Sequence, residues 1–234
     1  MAKPLLYFHS VRFLKAGQIY FRLYYLLRKK IRKAVGHSYD YSVPGTGGYL
    51  ELAETIPHTE AYSANRFMFL NRAKEFKEID WEFSEFGKLL CYNLNYFAYL
   101  LQNSMTVEEG LALVRHFIEN VRKNKTALEP YPTSLRITNW IKFLSKHGIR
   151  DDRIDHSLYA QALILNDNIE YHLMGNHLLE NGCALLFAGC FFRDEYLYKK
   201  AEHLLLQELN EQILPDGGHF ELSPMYHMII LERV

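Results

Sequence analysis

Ser134-Leu135-Arg136-Ile137-Thr138-Asn139-Trp140-Ile141-Lys142-Phe143-Leu144-Ser145-Lys146-His147, followed by Gly148, decides the fold class. Ile137, Trp140, Ile141 and Leu144 recur at the spacing of one helix face, and Gly148 marks a C-terminal stop. Thr133 and Ser134 after Pro132 read as the helix start. The same period extends in both directions, over Phe86 to Leu101 and Val107 to Arg122 before it, and over Ile154 to Glu170 and Asn176 to Phe192 after it. A further helix runs from near Arg193 to Ile213, where Pro215 stops it, and Thr106 with Glu109 forms a capping box. Strand-like alternation is confined to Phe67 to Leu70. The expected domain is all-α. Helices of about 15 residues on short connectors pack as antiparallel pairs, in a bundle or an α/α toroid.

Composition narrows the class. Of 234 residues, 49% are apolar and 15% aromatic, which excludes a disordered, collagenous or disulfide-stapled chain. No run of about 18 uncharged apolar residues occurs, so no spanning helix is expected. The charges, 27 basic and 27 acidic, are unevenly spread: the first 39 residues carry nine Lys or Arg and no acid. Ile19, Tyr20, Leu23, Tyr24, Leu26, Leu27 and Ile31 sit among these basic residues in the pattern of an amphipathic helix. Such a helix either lies on an anionic membrane surface or polyanion, or docks on the domain with its basic face in water. The basic residues surround and follow the apolar stretch, so no classical signal peptide is expected. A turn-rich connector with Pro44, Gly45, Gly47 and Gly48 follows. Cys183 and Cys190 lie seven apart in one helical segment, too far for a disulfide, so Cys91, Cys183 and Cys190 are expected as buried thiols. No zinc-binding spacing is present.

Three clusters carry chemistry. Arg136, Asn139 and Trp140 share a helix face and combine a bidentate carboxylate donor, an amide and a large ring, in outline a sugar-acid surface. The same pattern also fits a buried Trp packed near an exposed Arg. In Glu170-Tyr171-His172-Leu173-Met174-Gly175-Asn176-His177-Leu178-Leu179-Glu180-Asn181, Asn176 reads as an N-cap and His177 shares a face with Glu180 and Asn181. A carboxylate one turn from an imidazole fixes its tautomer, as a general acid or base requires, although an ordinary surface contact has the same spacing. In Asp216-Gly217-Gly218-His219-Phe220-Glu221-Leu222-Ser223-Pro224-Met225-Tyr226-His227, paired glycines allow a tight turn that aims His219, Glu221 and Tyr226 into a cleft. A structural turn accounts for the glycines equally well.

Together with Phe69-Leu70-Asn71, Asp80-Trp81 and Tyr92-Asn93-Leu94-Asn95-Tyr96, these clusters resemble, in this order, the N-terminal α/α-toroid portion of heparinase II/III-like polysaccharide lyases, a family with alginate-lyase-like relatives. The opening His9-Ser10-Val11-Arg12-Phe13-Leu14-Lys15, with Gln18-Ile19-Tyr20 and Arg22, is similar to members associated with bacterial surface-polysaccharide gene clusters. The resemblance implies β-elimination at a uronic acid: the C5 proton is removed, the developing enolate is neutralised and the departing O4 is protonated. It implies Tyr226 as proton donor, Asn176 and His177 as carboxylate neutralisers, and Glu180 as support for that histidine. Arg136, Asn139, Trp140, His219, Glu221 and His227 are then substrate-binding residues, with no metal and no cofactor required.

Family members continue into a C-terminal β-sandwich that contributes a further histidine, whereas this chain stops at Glu232-Arg233-Val234. The expected fold is therefore an incomplete (α/α) toroid of antiparallel helix pairs lacking that β-sandwich. The expected organisation is a basic amphipathic helix over 1–35, a connector over 36–66 and the lyase-like domain over 67–234. The expected function is a uronate-polysaccharide lyase or its N-terminal catalytic half. The alternative is a non-catalytic anionic-glycan-binding module associated with bacterial surface-polysaccharide biosynthesis. A hydrolase using two of Glu180, Asp216 and Glu221 is a third chemistry, one that leaves no unsaturation. The expected partners are an anionic uronate-containing polysaccharide, a membrane surface at the basic helix and the missing β-sandwich region. Nucleic acid is not expected, since the remainder of the chain is acidic. Localisation is open between periplasm or cell envelope and cytoplasm.

Overall fold

The computed structural model describes residues 14–52 and 58–231. Lys3, the His9 to Phe13 part of the opening motif, Pro57 and the terminal Glu232 to Val234 lie outside the described residues. Among the described residues are eight α-helices: α1 (Ala16–Ala34), α2 (Lys88–Tyr96), α3 (Val107–Asn120), α4 (Pro130–His147), α5 (Asp152–Asp167), α6 (Gly175–Phe192), α7 (Glu195–Gln212) and α8 (Pro224–Leu231). The protein is mainly α-helical, as the apolar period implies.

The helices start and stop on local chemistry. Thr106 Oγ1 accepts the Glu109 N–H at 3.2 Å to open α3, and Asp151 and Asp194 do the same for α5 and α7. Gly148, at φ 62°, closes α4 in the left-handed region. The α4 start departs from expectation. The helix begins at Pro130 with Glu129 as N-cap, because a proline at the first helical position gives up only an N–H that would be unpaired anyway. Thr133 and Ser134 instead donate their hydroxyls to the carbonyls of Ala127 and Pro130, at 3.2 and 2.9 Å.

The alternation over Phe67 to Leu70 is real, and it belongs to a three-stranded antiparallel sheet: β1 (Tyr62–Ser63), β2 (Arg66–Phe69) and β3 (Arg72–Glu75). Ala64-Asn65 and Leu70-Asn71 form the two-residue turns, all four at positive φ, the geometry that matches strand twist in tight hairpins. Phe67 and Phe69 point inward and join the main core.

Packing skips alternate helices. α2 lies on α4 and α4 on α6, while α3 lies on α5, and α5 and α7 back the first row. The α4 helix is thus enclosed between two neighbours and a backing helix, and twelve of its residues are buried. The connector is strapped onto this body. Gly47 N donates to Asp155 Oδ2 at 3.0 Å, and a Cβ at Gly47 would sit 2.4 Å from the Phe191 ring, so only glycine passes there. Arg150 holds the strap by donating to the Gly47 and Gly48 carbonyls at 2.5 and 2.7 Å.

Candidate active site

The first cluster lies in the core. Arg136 is fully buried, donating from Nε to Gln161 Oε1 at 2.6 Å, from Nη1 to the Asn95 carbonyl at 3.1 Å and from Nη2 to Thr133 Oγ1 at 3.1 Å. Burial pushes its guanidinium down to about 9, which still leaves it charged at neutral pH. Trp140 stands edge-on between Phe97 and Phe117, with ring centroids at 5.3 and 5.7 Å. Asn139 donates to the Tyr96 carbonyl at 2.8 Å. The surface expected for a uronate is corrected here: α4 is covered on the sides that carry these three residues, so they position backbone and pack rings and do not meet a polymer directly.

The second cluster builds a histidine site at the start of α6. Helix α6 begins at Gly175, with Met174 at φ 63° as its N-cap, so Asn176 sits inside the first turn and is not the cap. Backbone Leu173 N–H and Met174 N–H both bond the Glu170 carbonyl, at 2.8 and 3.1 Å, folding the preceding loop over that turn. This brings Glu170 Oε2 to 3.2 Å from His177 Nδ1 and to 3.2 Å from Asn181 Nδ2. Asn181 Oδ1 accepts the Glu170 backbone N–H at 2.8 Å, and its amide also donates to Ser134 Oγ at 3.0 Å. The carboxylate facing His177 is therefore Glu170. Glu180, expected in that role from its i+3 spacing, is buried, and its charge bears on the Tyr96 hydroxyl.

This contact orients the imidazole: Nδ1 faces the Glu170 carboxylate, and one third of the His177 side chain is exposed. Its ring packs on Tyr131 at 4.4 Å, and Tyr131 meets Tyr96 at 6.0 Å and an angle of 73°. Burial raises Tyr96 well above an ordinary phenol. At Tyr92, burial and the hydrogen bond it gives to Glu129 push the hydroxyl up to about 12. The rim is thus a run of protonated tyrosines beside an oriented histidine.

The third cluster folds as a turn. Gly217, at φ 82°, donates to the Leu214 carbonyl at 2.9 Å, and Gly218 N donates to Asp216 Oδ1 at 2.9 Å. His219 is buried; its Nε2 lies 3.2 Å from Gln212 Oε1, and its Nδ1 accepts the Glu221 N–H at 3.4 Å. Tyr226 packs 6.1 Å from the His219 ring. Helix α8 is held by Ile230, which joins Leu179 and Cys183 of α6 in a small apolar cluster. Tyr226 lies one turn before Ile230, hence on the face of α8 turned to α6, and Glu221 Oε1 lies 4.0 Å from where a side chain at Gly175 would begin. Tyr226 and His227 are half-buried, while Glu221 and Asp216 are exposed.

Beside the histidine site, between α1 and the body, lies a cavity of about 610 Å³. Its wall carries Arg28, Lys29, Arg32 and Lys125 with Tyr25, Tyr39 and Tyr41, and also His172 and Glu129. Composition gave no signal for it, since its residues come from five separate stretches. Glu170, Tyr131 and Ser134 were likewise missed as site residues; Glu170 heads the quoted 170–181 stretch, but only loop geometry aims it.

Among the described residues no three His, Cys, Asp or Glu side chains converge as metal ligands, and no helix is long and apolar enough to cross a membrane. Cys91, Cys183 and Cys190 form no disulfide, and Cys190 is exposed where a buried thiol was expected, because it sits on the outer side of α6 near its C-terminal end.

Residues 120–234 match the family Heparinase II/III N-terminus, a stretch that contains all three clusters. Over this stretch the chain is similar to the N-terminal portion of heparinase II/III-like proteins. A heparin-sulfate lyase of Bacteroides stercoris is 37% identical over 62 residues, which is 25% of this chain and 9% of that protein. No solved structure matches the chain.

Proposed function

We propose that this chain is the helical part of a polysaccharide lyase that cleaves a uronate-containing anionic glycan by β-elimination. The observation that carries the reading is the Glu170–His177–Asn181 network at the start of α6, within the matched region and beside a tyrosine rim. The chemistry requires that the uronate carboxylate be neutralised while C5 loses its proton. The C4–O4 bond then breaks and O4 takes up a proton. In this reading His177 and Asn176 face the carboxylate, and Glu170 holds the imidazole in one tautomer. Tyr226 takes up the C5 proton on the face of the departing oxygen and delivers a proton to O4, with His219, Glu221 and His227 around it. The rows of alternating helices are an arc of the toroid, residues 67–234 form the lyase-like domain, 36–66 the strap and 1–35 the basic helix.

The test is absorbance of the unsaturated uronate during incubation of the chain with a panel of uronate polymers, glycosaminoglycan and alginate types included. Product is expected from at least one polymer and is lost in Tyr226→Phe and in His177→Ala. Reducing ends without that absorbance would indicate hydrolysis and overturn the elimination reading.

One observation favours the binding-only alternative, a glycan-binding module of surface-polysaccharide biosynthesis. The cavity beneath α1 combines cations with tyrosine walls, the combination that grips a charged sugar ring, and none of the proposed catalytic residues lines it. Oligosaccharide binding that is abolished by Lys29→Glu with Lys125→Glu, with no unsaturated product from wild type, would establish that alternative.

A further inference from the structure

Helix α1 docks on the body by a mixed polar and aromatic stripe and leaves its main aliphatic face outward. The docked residues are Gln18, Phe21, Tyr25, Arg28 and Arg32, at steps of three and four. Gln18 Nε2 donates to the Leu173 carbonyl at 3.1 Å, Tyr25 Oη to the Ile169 carbonyl at 2.5 Å and Arg28 Nη2 to Asn168 Oδ1 at 2.6 Å. Phe21 stacks on Tyr171 at 4.6 Å, and Arg32 pairs with Asp167 at 2.6 Å. No residue of α1 is buried.

On the opposite side Ile19, Tyr20, Leu23, Leu26, Leu27 and Ile31 form one contiguous apolar face, with Leu23, Leu26 and Leu27 between 60 and 63% exposed. A patch of this kind on a surface helix marks an interaction site. Its charge says what covers it. Arg22, Lys29 and Lys33 line one edge of the apolar face and Lys30 sits within it; none of the four makes an ion pair among the described residues, and α1 contains no acid. Tyr20 and Tyr24 lie side by side, with ring centroids 6.3 Å apart and 11° between planes, and both are exposed. Apolar side chains flanked by unpaired cations and tyrosines are the chemistry of the bilayer interface, where the chains enter the acyl boundary, tyrosines sit at headgroup level and lysines meet lipid phosphates.

We propose that α1 is a membrane-surface helix, lying in the headgroup region of an anionic bilayer with Leu23 and Leu27 inserted and Arg22, Lys30 and Lys33 on lipid phosphates. This is independent of the enzymatic reading and holds whether or not the chain turns over a glycan. The test is co-sedimentation of the 234-residue chain with vesicles of phosphatidylcholine alone and with about one third phosphatidylglycerol, at low and high salt. Binding is expected to the anionic vesicles, about tenfold or more above the neutral ones, falling with salt. Leu23→Gln with Leu27→Gln, and separately Lys30→Gln with Lys33→Gln, each weaken it by about tenfold at an unchanged Tm, since these positions face outward. Equal partition onto both vesicles or binding to neither overturns the proposal. So does a dimer in solution that the leucine pair abolishes, which would make the face a contact between copies.

Discussion

Arg136, Asn139 and Trp140 on α4 and His177, Glu180 and Asn181 on α6 share the same i, i+3, i+4 spacing, yet the first trio is sealed in the core while His177 opens at a tyrosine rim. Spacing fixes which side chains share a face, and the neighbours of that face decide what it does. Helix α4 runs between α2 and α6 with α5 behind it, so Arg136 and Asn139 find internal partners, Gln161, Thr133 and two carbonyls, while the Trp140 indole N–H is buried without one. The first turn of α6 meets a loop instead of a helix. Glu170 enters from that loop, and the imidazole stays one third exposed.

The largest test of this contrast is stability. Trp140→Ala removes a ring packed against Phe97 and Phe117 and should cost about 3–5 kcal/mol in urea unfolding, against under about 1 kcal/mol for His177→Ala. Equal costs would break the comparison. Next, Arg136→Met keeps volume but strands Gln161, Thr133 and the Asn95 carbonyl, with an expected loss of about 1–3 kcal/mol and the glycan contacts of the folded protein intact. A loss of glycan binding at full stability would return Arg136 to the site. Glu170→Gln sharpens the other half: its side-chain amide can no longer hold Nδ1–H as a carboxylate does. ¹⁵N NMR of His177 should show the single tautomer giving way to a mixture, with turnover down by about tenfold or more.

The smallest expected effect is on α1 and pH. Burial lowers the His172 pKa below its ordinary 6.5, so the folded state favours the neutral ring under Tyr25. A depressed histidine gives stability that is fully present above the ordinary value and declines as pH falls through it. The Tm should therefore drop slightly between about pH 7.5 and 5.5, and His172→Gln should flatten that drop; an unchanged slope would remove His172 from α1 docking.

The helices were legible because the 3.6-residue period is a local property, and their extents hold within a few residues from α3 to α7. The small sheet was almost invisible: only four residues of β2 alternate, and its partners pair through turns whose positive φ values no local preference announces. The α4 start was misread because Thr133 and Ser134 are good caps in isolation, whereas Pro130 already fits the first turn. Asn181 was recognised on the face of His177, but its work is to anchor Glu170 by two bonds, and the fold of the 168–174 loop alone reveals it.

Sequence by itself determined the helical class, the resemblance over the three clusters and the amphipathic character of residues 16–34, since periodicity, turn residues and charge are written along the chain. Tertiary structure alone decided that Arg136 and Trp140 are core, that Glu170 serves His177, and that α1 turns its apolar face away from the body. These depend on which surfaces meet, and burial energy is set by the neighbour a side chain finds in space, which its position in the chain does not specify.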